Sequence, residues 1–127
     1  MNLVDSSGWI EFFVDGPNAG WFERPINETE SLIVPAIALL EVYKYVVRAR
    51  DREGALQVVA SMRQGRVVEL DEGLAIEAAE LGAMHGLPLA DSIIYATAAR
   101  FEATLWTQDA DFEGLEGVEY RPKGRAL

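Results

Sequence analysis

The chain has 127 residues, half of them hydrophobic, which suffices for one packed domain spanning residues 1–127 without covalent staples. It contains no cysteine, which excludes disulfides, thiolate metal sites and cysteine nucleophiles and fits a reducing, cytoplasmic setting. A net charge of −10 argues against nucleic-acid binding by bulk electrostatics, which relies on basic surfaces, and leaves a basic protein partner compatible.

Residues 1–5 (MNLVD) read as a strand. The stretch has no basic leader, and Asp5 breaks its apolar run, so a signal peptide is not expected. No segment approaches the roughly 18 apolar residues of a membrane span. A short helix follows from Ser7 to Phe13, then a Gly16-Pro17 turn, then a helix from Asn18 to about Glu28 whose end Pro25 disturbs. Leu32–Val34 is a second buried strand. Pro35 opens a long helix to about Arg52, with Leu39, Val42, Tyr43, Val46 and Ala49 spaced as a core-facing stripe.

Gly54 reads as a break, followed by a helix over Ala55–Gln64 and a third strand over Arg66–Leu70. Asp71 is placed to cap a helix through His85, which Gly86 ends. After Pro88 an apolar helix covers Ala90–Phe101, Thr104–Thr107 is a fourth strand, a helical turn follows Asp109, and Val118–Tyr120 offers a fifth strand. Strands alternating with helices define an α/β fold, a three-layer α/β/α sandwich around a mostly parallel sheet.

In such folds the functional crevice lies beyond the carboxyl ends of the strands. Asp5 closes the first strand and Asp109 follows the fourth; Glu41 and Asp91 ride on helices that start from that same edge. Each has a plainer explanation. Asp5, Asp91 and Asp109 could cap helices, and Glu41 could pair with Lys44 on a solvated face. If the four converge, their mutual repulsion must be relieved by protons or cations. An all-oxygen ligand set selects Mg²⁺ or Mn²⁺, and such ions suit phosphodiester hydrolysis, ideally as a pair roughly 4 Å apart. His85 is the only histidine and reads as a helix-end residue, so no Ser-His-Asp arrangement arises. No Gly-rich phosphate loop is present either. Basic residues cluster at Lys44, Arg48, Arg50 and Arg52 and again at Arg121, Lys123 and Arg125. These are solvated faces or local anion-binding patches.

Four blocks, "NLVDSSGWIEFF", "PAIALLEVYKYV", "GLPLADSIIYATAARF" and "TLWTQDADF", together resemble the ordered motifs of PIN-domain ribonucleases, above all the VapC-type toxins of toxin–antitoxin pairs. The resemblance covers nearly the whole chain. It implies that Asp5, Glu41, Asp91 and Asp109 are catalytic, metal-binding acids. By the same resemblance Asp111 is an additional acid, and Ser7 and Thr107 are supporting hydroxyls. It further implies Mg²⁺- or Mn²⁺-dependent endonucleolytic cleavage of RNA, a cognate antitoxin whose C-terminal segment blocks the groove, and a homodimer. Where many relatives carry a glycine shortly after the helix-borne glutamate, this chain has Tyr45-Val46, followed by the basic cluster. Lys44, Arg48 and Arg52 are therefore candidate contacts for RNA or a partner. The alternative is a catalytically inactive PIN-fold binding module in which the acids only cap. A haloacid dehalogenase-type phosphatase fits poorly, because its second aspartate would fall at Ser7, and a receiver domain fits worse.

Overall fold

The computed structural model of the chain describes residues 1–124. Strands β1 (Asn2–Val4), β2 (Leu32–Pro35), β3 (Arg66–Val68), β4 (Thr104–Thr107) and β5 (Val118–Tyr120) form one sheet in the order β3-β2-β1-β4-β5. Every neighbouring pair is parallel. Helices α1 (Ser6–Phe13), α2 (Ala19–Asn27), α3 (Ala36–Ala49), α4 (Arg52–Met62), α5 (Glu72–His85) and α6 (Leu89–Arg100) connect the strands. None is long and apolar enough to cross a membrane.

Because successive strand side chains point to opposite faces, apolar runs rather than alternating ones fill both sides of this sheet. Leu3, Ile33 and Leu105 face α5 and α6, where they pack with Leu74, Ile93 and Ile94. Val4, Leu32 and Val34 face the other way, into a core with Trp9, Phe22, Val42 and Met62 from α1 to α4. The result is the three-layer α/β/α sandwich that the sequence pattern leads one to expect.

Several boundaries differ from the sequence reading, each for a local reason. The long third helix stops at Ala49 because Asp51, in extended backbone, caps a new helix by accepting from Gly54 N–H at 2.7 Å. The break therefore lies at Arg50-Asp51, Gly54 sits inside the first turn of α4, and Arg52 starts α4 rather than ending α3. Ala49 is exposed, while Ala38, Val42 and Val46 form the buried face of α3 with Leu39 and Tyr43 against it. β3 ends at Val68, since its partner there is Pro35, which has no N–H to extend the ladder. Leu70 is accordingly exposed. Pro25 is accommodated inside α2, which continues to Asn27. Gly86 does end α5, in the left-handed conformation at φ 66° that glycine adopts without strain.

Candidate active site

The crossing point of this sheet lies between β1 and its neighbours β2 and β4, since the chain leaves β1 for β2 on one side and reaches β4 on the other. Asp5 stands at that point and is 2% exposed. Its side chain caps α1: Oδ1 accepts from Gly8 N–H at 3.0 Å and from the Ser7 hydroxyl at 2.8 Å. Oδ2 accepts from the Thr107 hydroxyl at 2.6 Å. The Thr107 oxygen in turn accepts from Asp109 N–H at 2.9 Å, so one hydroxyl ties the end of β1 to the end of β4. A carboxylate offers about four acceptor positions. Three are filled here by protein donors.

Asp91 is the third residue of α6, whose cap position is Pro88 and carries no side-chain capping bond. The capping explanation for Asp91 therefore fails. Asp109 does cap, accepting from Asp111 N–H at 2.9 Å at the start of a 3-10 turn over Ala110–Phe112. Phe112 is fully buried and anchors that turn. One carboxylate oxygen from each of Asp91, Asp109 and Asp111 lies within 4.8 Å of the others, so Asp111, expected only as an additional acid, belongs to the tightest part of the cluster.

Glu41 lines the same groove but falls outside that group of three. It has no ion pair with Lys44; instead Oε1 accepts from the Ser6 hydroxyl at 2.6 Å. Ser6 was not singled out from the sequence. The only signal for it was its place beside Ser7 in "DSS", on the first turn of a helix leaving the active edge. The groove, of about 700 Å³, is lined by Asp5, Asp91 and Asp109 and, from α3, by Lys44, Tyr45 and Arg48.

Arg52, at the start of α4, does not line this groove. Arg121 lies just beyond β5, its guanidinium 5.4 Å from the Trp21 ring centroid, and Lys123 is exposed; Arg125 lies outside the described residues. His85 ends α5, packs edge-on against Tyr95 and lines a different cavity. Gln108, between Thr107 and Asp109, is buried and accepts from Asn18 Nδ2 at 3.0 Å, while the same amide donates to Pro122 O at 3.0 Å. This pair braces the segment that carries Asp109, and the sequence pattern held no sign of it.

The carboxylates feel their crowding. Burial, opposed by the hydrogen bonds from Thr107, Ser7 and Gly8 and reinforced by Asp109, pushes Asp5 up to about 6. Asp91 is pushed up to about 7, first by burial, then by the charge of Asp109 and by the hydrogen bond and charge of Asp111, with Asp5 adding to it. Among the described residues the ion pairs are those of Arg100 with Asp71 and Glu77, remote from this groove. The protein thus gathers carboxylates that no cationic side chain pairs with, Lys44 and Arg48 lining the groove without an ion pair to them. An all-oxygen cluster with three carboxylate oxygens this close together fits a divalent cation of the Mg²⁺ or Mn²⁺ kind.

The family model of the PIN domain matches residues 3–118, and the chain belongs to the PIN domain family. No curated protein sequence matches it significantly. Its fold is similar to that of a chain in a toxin–antitoxin complex from Klebsiella pneumoniae, at 21% identity and a TM-score of 0.79, covering 94% of this chain and 96% of that one. It is similar also to Mycobacterium tuberculosis VapC20, described as a sarcin–ricin loop cleaving toxin, at 20% identity and a TM-score of 0.78, covering 96% and 100%. A chain of the DNA-bound VapBC complex from Salmonella typhimurium gives 20% identity and a TM-score of 0.71, covering 96% and 98%.

Proposed function

We propose that this PIN domain is a metal-dependent endoribonuclease acting as the toxin of a toxin–antitoxin pair. The observation that carries the reading is Asp91. It caps nothing, yet it sits beside Asp109 and Asp111 with its proton affinity raised to about 7. A first-turn acid gains a little from the helix dipole, but crowding against Asp109 and Asp111 opposes that gain until a cation relieves it. Asp5 and Asp109 do cap, as the binding-module alternative requires, and that alternative leaves Asp91 only the small gain of a first-turn acid.

Asp91, Asp109 and Asp111 would hold the ion together with Asp5, with Glu41 at its margin. A divalent ion held there supplies activation of the attacking water and neutralisation of charge developing on the phosphate. The protein's own part is orientation. Ser7, Gly8 and Thr107 fix the Asp5 carboxylate, Thr107 also fixes the backbone at Asp109, and Ser6 fixes Glu41. Lys44 and Arg48, on the groove wall, would take the flanking phosphates of RNA, and the same wall would receive the C-terminal segment of a cognate antitoxin. A homodimer is part of the same reading.

The test is cleavage of RNA by purified protein with Mg²⁺ or Mn²⁺. Asp91→Asn is expected to abolish it while the circular dichroism spectrum stays native. Undiminished cleavage by this variant would sink the assignment.

A further inference from the structure

α3 carries two tyrosines two residues apart, and they do different things. Tyr43 packs against the core beneath the helix. Tyr45 is 45% exposed and lines the acidic groove, one helical turn beyond Glu41 and therefore on the same side of the helix. Lys44 and Arg48 line the groove beside it. The chain has 21 acidic residues against 11 basic ones, yet neither cation forms an ion pair among the described residues, where Arg100 makes those that exist. Two unpaired cations flanking an exposed aromatic ring, on the wall above a carboxylate cluster, are complementary to an anionic chain that also offers flat apolar faces.

We propose that Tyr45 is the specificity-determining residue of the groove: its ring stacks on an unpaired nucleobase next to the scissile phosphate, with Lys44 and Arg48 on the neighbouring phosphates. The substrate is then a single-stranded or looped segment of RNA. Bases inside an A-form duplex are stacked on one another and offer no free face, whereas unstacked bases in loops are commonly received by aromatic side chains. A ring read in this way discriminates paired from unpaired RNA more than it discriminates one base from another, because every base has a π-face. An apolar peptide would also cover Tyr45 and the exposed Leu40 beside it, but it would leave Lys44 and Arg48 without partners. The inference rests on the nuclease reading above.

The experiment uses the full chain with Mn²⁺ and a short unstructured RNA, the same RNA annealed to its complement, and a series carrying one abasic residue at each position in turn. Tyr45→Ala is expected to raise KM on the single strand by about tenfold or more, within the range for a base–aromatic stack, with kcat changed by less than about twofold. Tyr45→Trp and Tyr45→Phe should restore KM, and the Tm of Tyr45→Ala should fall by only a few degrees because the side chain is about half exposed. One abasic position should raise KM for the wild-type protein by a similar factor and have no further effect on Tyr45→Ala, since ring and base act as one pair. Equal KM for wild type and Tyr45→Ala, additive effects of the two deletions, or duplex cleaved as well as single strand would each overturn the proposal. Unchanged RNA kinetics with weakened inhibition by the cognate antitoxin would overturn it too, and would assign the ring to the protein partner. A wild-type protein that cleaves neither this RNA nor a small phosphodiester with Mn²⁺ would bring down the nuclease reading itself, a result distinct from all of these.

Discussion

Removing the charge at Asp5 should stabilise the metal-free protein at neutral pH, although Asp5 makes three hydrogen bonds. In the unfolded chain this carboxyl titrates near its ordinary value of 3.8, and in the folded chain near 6. Below about pH 3 it is protonated in both states and folding costs nothing extra. As pH rises toward 6 the unfolded state releases its proton while the folded state retains it, so stability falls across that interval. The rise from 3.8 to about 6 corresponds to about 3 kcal/mol, lost by the time neutral pH is reached. Asp91, raised to about 7, extends the decline upward in pH.

Asparagine at position 5 removes this ionisation. It keeps an acceptor for Gly8 and Ser7 but turns an N–H toward Thr107, whose hydroxyl must reverse its role at a cost of about 1 kcal/mol. The variant should therefore be less stable than wild type by about 1 kcal/mol at pH 3 and more stable by about 2 kcal/mol at pH 7.5. For a domain of this length the latter is a rise in Tm of about 8 °C. Thermal unfolding in excess EDTA at both pH values reads this directly. Millimolar Mn²⁺ at pH 7.5 should then raise the wild-type Tm, because the ion binds only the folded site, and raise that of Asp5→Asn much less. A variant less stable than wild type by the same amount at both pH values would refute the idea that Asp5 is a strained, cation-seeking carboxylate.

Two further outcomes test the site. Ser6→Ala releases Glu41 from its 2.6 Å bond and should lower kcat severalfold, with folding stability reduced by only about 1 kcal/mol; Ser6→Thr, which keeps the hydroxyl, should preserve most of the rate. Arg48→Ala should weaken RNA binding and flatten its salt dependence. Arg52→Ala, which alters a residue outside the groove, should do neither, and filter binding in Ca²⁺ across a salt series compares them.

The fold was legible because a sheet buried on both faces writes itself as short apolar runs between turn signals, and Leu3-Val4 and Leu32-Ile33-Val34 are such runs. What misled was boundary chemistry. Arg50, Asp51 and Arg52 look like the polar end of one amphipathic helix, and Gly54 looks like its terminator. The Asp51 cap outweighs both, since its bond to Gly54 N–H satisfies a donor that a continuous helix would have satisfied with a carbonyl. Local pattern favours neither solution strongly, and the packing of α4 through Ala55 and Met62 decides.

At the site, the sequence leaves cap and ligand as alternatives, and the structure shows that the first does not exclude the second. Asp5 and Asp109 cap, and they also face the groove. A capping bond occupies one or two of a carboxylate's acceptor positions and leaves the rest available. It also locks the rotamer, which lowers the ordering cost when a cation binds. The acids that differ in role are separated by features the sequence does not display. Asp91 lies one turn past a proline that starts its helix without a side-chain cap. Glu41 is turned aside by a serine 35 positions earlier. Asp111 is brought beside Asp91 by a single 3-10 turn that the burial of Phe112 holds down. Capping and cation binding are thus compatible uses of the same carboxylates: the caps fix where the charges stand, and the repulsion left between them is what the proposed ion would relieve.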